Sequence, residues 1–235
     1  MFSPFELPSG ILLLVTDQLS SPADFVLHRA LAEQLKSPKS TSESKHAIVL
    51  SVSEHLARWK AIAAKSNVHL DQHASFLFLD VLGLARAGEP ATLRPVLDAV
   101  VAALKPDKDT LVILDDLAAL EWLGIASVLD LTRFVRALHA ACRARNATLL
   151  IRHHVLAPEP DDALRALREQ CTFHMEVLPL ASGRSGAVSG QVALHAGPGV
   201  SRGSVRLLPR SAALQYKLTE GGAVFFERGT GAGVL

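Results

Sequence analysis

The chain of 235 residues is poor in the residues that advertise chemistry. Cysteine occurs twice, at Cys142 and Cys171, with no Cys-x-x-Cys pair. That argues against a zinc ribbon or a disulfide framework and suits two buried thiols in a reducing compartment. Aromatic residues make up 5% of the chain, with a single tyrosine, Tyr216. Charge is nearly balanced at +1, so bulk electrostatics call for neither nucleic acid nor a membrane surface. Long apolar runs are missing too. Nothing approaches the roughly 18 residues of a membrane span. The run "ILLLV" near the start has no basic segment before it, unlike a signal peptide. A soluble intracellular protein is expected.

What is present is a globular composition, 49% apolar and 20% charged, long enough to bury a full core. Short apolar runs alternate with helical stretches. Strands are expected at 10–17, 46–53, 75–82, 110–116 and 147–154. Helices are expected at 21–35, opened by Ser21 as N-cap and Pro22 at the first position, and at 54–66, 91–105, 125–144 and 161–171. Residues 36–45 contain no apolar side chain and read as a flexible loop. After residue 171 come short strands separated by Gly, Pro and Ser, with "EGG" (220–222) as a hairpin signal. The expected fold is α/β: a mostly parallel sheet flanked by helices over 1–171 and an antiparallel extension over 172–235, in one domain.

The segment "LVILDDLAALEWLG" (111–124) runs a strand into Asp115 and Asp116. A carboxylate at the C-terminal edge of such a sheet can hold Mg²⁺. Its necessary partner is a glycine-rich loop ending in Lys and Ser or Thr after the first strand. The sequence there is "VTDQLSSPADF", with no glycine, no lysine, and two carboxylates, Asp17 and Asp24, that repel phosphate. Autonomous nucleotide hydrolysis is therefore not expected, and no catalytic residue, cofactor or metal is assigned. Asp115 and Asp116 are read as capping a turn or meeting a neighbouring subunit. "GVSRG" (199–203) matches a nucleophile elbow only literally, because no helix follows it and no histidine comes later. In "RHHV" (152–155), adjacent strand residues point to opposite faces, which argues against a shared metal. Arg152, His153 and His154 at that sheet edge are candidates to meet phosphate or a neighbour. Residues 181–235 carry six basic side chains against Glu220 and Glu227. Arg184 and Arg202 lie there among glycines that let a backbone approach phosphate closely. Aromatic interleaving in this region is thin, limited to Tyr216, Phe225 and Phe226.

The order of elements, with "LVILDDLAAL" in the place of a Walker B strand, resembles a RecA-like fold of the P-loop NTPase type that lacks its Walker A loop. Three stretches, "LVILDDLAALEWLGIASVLDLTRFVRAL", "LQYKLTEGGAVFFERG" and the terminal "GVL", resemble the family of the sixth subunit of Elongator, the tRNA wobble-uridine modification complex. The resemblance implies a non-catalytic subunit of the cytoplasm and nucleus. It implies a ring with Elongator subunits 4 and 5, two copies of each, which joins the catalytic subcomplex and binds tRNA. RNA contacts are then expected at Arg152, His153, Arg184 and Arg202, and subunit contacts at Asp115, Asp116, Trp122 and Leu123. Trp122 capping the core is the plainer alternative. Two rivals stand beside this reading. One is a degenerate ATPase subunit that lends an aspartate to a neighbour's phosphate loop. The other is a free-standing RecA-like regulator.

Overall fold

A computed structural model describes residues 7–36, 45–106, 108–157, 159–180, 188–198, 200 and 205–228. Arg184, Arg202, most of the 36–45 loop, most of "GVSRG" and the terminal "GVL" lie outside the described residues.

Among the described residues nine strands form one sheet: β1 (Leu12–Asp17), β2 (His46–Ser51), β3 (Phe76–Asp80), β4 (Thr110–Leu114), β5 (Thr148–His154), β6 (Phe173–Leu178), β7 (Gly190–Ala196), β8 (Leu214–Thr219) and β9 (Gly222–Phe226). Their order is β3-β2-β4-β5-β1-β6-β7-β8-β9. The helices are α1 (Asp24–Leu35), α2 (Leu56–Lys65), α3 (Val81–Ala85), α4 (Arg94–Ala103), α5 (Ala118–Trp122), α6 (Val128–Arg143) and α7 (Asp162–Gln170). No helix among the described residues is long and apolar enough to cross a membrane.

The unbroken apolar runs of the central strands reflect burial on both faces. Leu12, Leu14, Ile48, Leu50, Val112 and Leu114 point into one core, beneath α3, α4, α6 and α7. Their neighbours Leu13, Val15, Val49, Leu111 and Ile113 point into the other, beneath α1 and α2. In β6 the pattern changes. Phe173, Met175 and Val177 enter the second core, while His174 and Glu176 are buried polar residues of the opposite face.

Several sequence expectations shift. The antiparallel part begins later than residue 172: β6 pairs parallel with β1, and only β7, β8 and β9 run antiparallel. Of the strand expected at 203–209, the described residues 205–209 contribute a single bridge, Leu194 to Leu208. Helix α1 starts at Asp24, because the Ser21 hydroxyl bonds the Tyr216 hydroxyl at 2.8 Å instead of capping. The expected 125–144 helix begins at Val128, where Ser127 accepts from the Asp130 N–H at 3.2 Å. Two one-turn helices differ from expectation: α3 takes over the last two residues of the strand expected at 75–82 and the loop after it, and α5 occupies a segment read as a turn.

Candidate functional site

Ligands of open α/β sheets bind beyond the strand C-termini, where neighbouring strands send their connections to opposite faces. Strand β1 leads into α1 on one face, and its neighbour β5 leads into α7 on the other. The crevice between them is where a phosphate loop would act. Here it is filled by the chain's own side chains.

Asp17, the last residue of β1, is the register partner of His154 on β5. One carboxylate oxygen accepts from the Ala23 N–H at 2.7 Å, at the threshold of α1. The other meets His154 Nδ1 at 2.5 Å. A fixed carboxylate thus takes the amide and the positive helix end that would otherwise attract a phosphate oxygen. His154 Nε2 lies 3.5 Å from Asp116. The hydrogen bonds to Asp116 and Asp17 raise the His154 pKa to about 9 against the effect of burial, so the imidazole is cationic at neutral pH. Burial pushes Asp116 upward, but the hydrogen bonds from His154 and from the Ala119 N–H win and hold it below the usual range. The Ala119 bond, 3.0 Å long, makes Asp116 the cap of α5. Of the two roles expected for Asp116, turn capping is the one its geometry matches; direct subunit contact does not suit a residue this buried, which corrects that expectation.

The crevice between β2 and β4 is closed in the same manner. Asp115 accepts from the Ser51 hydroxyl and from the Val52 N–H, the latter at 2.7 Å. Burial raises its pKa to about 6 despite these bonds and the nearby Arg152 charge. At 1% exposure, Asp115 cannot face a partner subunit, which corrects that expectation. Its position leaves it tying β4 to the end of β2 rather than open to a metal.

Arg152 is also corrected. It is 3% exposed. Its guanidinium pairs with Asp24 and donates from Nε to the Asp115 carbonyl at 2.5 Å. A buried guanidinium held in this way is a structural cation, not a phosphate contact. His153 points to the other side of β5 and meets Asp161 at 3.1 Å, while Asp161 caps α7 by accepting from the Leu164 N–H at 2.6 Å. With 1% exposure, His153 does not suit RNA contact either. Alternation along β5 separates His153 from His154, as the sequence implies.

Trp122 and Leu123, the expected subunit contacts, lie at the C-terminal end of α5. They are 52% and 50% exposed. The Trp122 ring stacks on His154, with centroids 6.1 Å apart and planes 17° from parallel. The indole therefore covers the charged crevice from outside instead of capping the core. Leu129, on the first turn of α6, is also exposed.

A second polar cluster was not read from the sequence. Glu176 on β6 accepts from Arg210 Nε and Nη2, each at 2.7 Å, and meets His195 at 2.8 Å and Arg168 at 3.4 Å. Burial opposes its charge, but these partners hold its pKa at about 2. His174, pushed down to about 4 by burial, bonds the Thr16 hydroxyl at 2.8 Å. The available signal was the alternation in "FHMEVL", which sets His174 and Glu176 on one face. Their partners lie on distant segments.

No family profile matches the chain. Over 161 residues it is 34% identical to Elongator complex protein 6 of Xenopus laevis, covering 64% of this chain and 58% of that protein. It is 30% identical to Elongator complex protein 6 of Xenopus tropicalis, over 64% of this chain and 59% of that protein. The match thus spans less than two thirds of the length of these curated relatives. Among solved structures, a KaiC-like protein of the hyperthermophilic archaeon Pyrococcus horikoshii OT3 superposes with a TM-score of 0.66, covering 94% of this chain and 91% of that one. At 9% identity that likeness speaks for the fold alone. The chain therefore has a RecA-like α/β fold, with no phosphate loop after its first strand, and is similar in sequence to Elongator complex protein 6.

Proposed function

We propose that this chain is a non-catalytic RecA-like subunit of an Elongator complex, a scaffold that contributes to tRNA binding for modification of the wobble uridine, U34. The observation that carries this reading is the Asp17 carboxylate. It occupies the entrance to α1 and is tied to His154 on β5, so the chain fills its own phosphate position. The similarity to Elongator complex protein 6 supports the choice of complex. The proposed partners are Elongator subunits 4 and 5, in a ring with two copies of each, and the catalytic subcomplex.

Trp122 and Leu123 are the proposed subunit contacts, because half-exposed large apolar side chains beside a closed crevice gain from being covered. Arg184 and Arg202 remain the proposed RNA contacts. The rival reading, in which Asp115 or Asp116 serves a neighbour's phosphate loop, is disfavoured because both carboxylates are occupied within the chain. Copurification tests the assignment. Tagged chain is expected to bring down other RecA-like chains, and their absence overturns it.

A further inference from the structure

The two edges of the parallel sheet differ in charge. The segments that leave β1, β4 and β5 at the C-terminal edge (17–24, 115–133 and 152–165) hold nine carboxylates against three arginines and the His154 cation. Those leaving β2 and β3 (51–58 and 80–94) are balanced. A polyanion is repelled from that edge. The segments that enter the adjacent strands β2, β4 and β5 (36–45, 105–109 and 143–147) hold seven Lys and Arg against Glu43, Asp107 and Asp109. Before β1 and β6 the chain carries Glu6 and Glu169, and before β3 the Asp71 carboxylate pairs with Lys60. The positive row is therefore confined to β2, β4 and β5, about 10 Å across at the usual strand spacing.

Backbone contacts hold these cations together. The His46 N–H donates to the Asp109 carbonyl at 2.9 Å, and Gln34 Nε2 donates to the same carbonyl at 2.8 Å. Lys45 and Lys108 adjoin these two groups in the chain. Burial, then the Lys108 and Lys105 charges, hold His46 below its usual range. Leu111 of β4 is the register partner of Thr148 of β5, which sets the connection of Arg145 beside that of Lys108. Lys105, Arg143 and Arg145 are exposed, and Lys45 and Lys108 are half-buried. None of the five has an ion-pair partner among the described residues. A cation in the last turn of a helix balances the helix dipole. That accounts for Arg143, at the end of α6, but Lys45, Lys105, Lys108 and Arg145 lie in connections outside the helices.

Among the described residues, the stretches leading into these strands expose one large apolar side chain, Val101 in the last turn of α4. A protein or membrane partner needs apolar anchors. A phosphate backbone needs cations and polar surface. We propose that the edge where β2, β4 and β5 begin binds the phosphate backbone of RNA, through Lys45, Lys105, Lys108, Arg143 and Arg145. The choice of RNA rests on the tRNA-binding reading above; the choice of face rests on the charges. Contacts of this kind give affinity and orientation without reading base sequence.

An unmodified tRNA transcript is the probe, titrated with the full chain by fluorescence anisotropy from about 50 to 200 mM salt. Lys105→Gln, Lys108→Gln and Arg145→Gln together should weaken binding at least about tenfold and lower the slope of log affinity against log salt by about two to three. Arg94→Gln, Arg133→Gln and Arg165→Gln together remove the same charge from the first turns of helices that start at the other edge. That set should leave affinity within about twofold. Arg143→Gln with Arg145→Gln serves if the first set fails to fold. Binding that the first set leaves unchanged overturns this face but not the tRNA reading. Equal losses in both sets reduce the effect to net charge and also overturn the face. No binding by the full chain overturns both. Tighter binding to phosphatidylserine vesicles than to tRNA assigns the edge to a membrane and overturns the RNA assignment.

Discussion

Asp17 and His154, separated by 137 positions in the chain, meet at 2.5 Å where the neighbouring strands β1 and β5 end. The contact closes the crevice in which a fold of this kind would hold a ligand. It also makes the edge of the sheet sensitive to the loss of either partner.

Asp17→Ala should destabilise the chain by about 3–5 kcal/mol, the usual cost of leaving one member of a buried ion pair alone. The substitution leaves the His154 charge with Asp116 alone and strands the Ala23 N–H. Asp17→Asn keeps an acceptor for that amide and should cost less. Urea unfolding midpoints at neutral pH check both, and equal losses for Ala and Asn count against the charge argument.

The His154 pKa is raised from 6.5 to about 9 in the fold. Its contribution is therefore fully present below pH 6.5 and is lost as pH rises through about 9. The wild type should lose on the order of 2 kcal/mol over that window relative to His154→Gln. Denaturation curves from pH 6 to 10 for the two proteins provide the measurement; parallel curves would refute it.

Asp115 gives the same direction of pH dependence through a carboxylate. Its pKa is raised from 3.8 to about 6, so ionisation opposes folding, and stability present below 3.8 is lost as pH rises through about 6. Asp115→Asn removes that penalty and can still accept from the Val52 N–H. The variant should gain about 1–2 kcal/mol over the wild type at pH 8 relative to pH 4. Thermal melting at the two pH values tests it, with no pH-dependent difference as the failing outcome.

Trp122→Ala with Leu123→Ala should change the stability of the isolated chain by less than about 1 kcal/mol, because both side chains are half exposed. If they anchor a partner, the same double variant should reduce copurification of other RecA-like chains by at least about tenfold. Undiminished copurification would remove these two residues from the interface.

Much of the fold was legible because burial on two faces leaves a sequence record. A strand covered by helices above and below has no polar side to show, so "ILLLV", "HAIVL" and "LVIL" read as uninterrupted apolar runs. The missing phosphate loop was equally plain, since an anion nest needs glycine and lysine that "VTDQLSSPADF" does not contain. Strand β6 misled because direction leaves no mark in a run of six residues. Its composition resembles that of the antiparallel strands after it, and only its place beside β1 makes it parallel.

The sequence by itself determined the layered α/β arrangement and the absence of a phosphate loop, because each depends on local periodicity or on residue types that are present or missing. Only the tertiary structure decided the fate of the charges. Arg152 looks like a surface cation until Asp24 and the Asp115 carbonyl are brought beside it. Glu176 looks like a solvated strand residue until Arg210, His195 and Arg168 surround it. An ion pair is fixed by distance in space, and chain segments far apart in sequence set that distance only when the sheet is assembled.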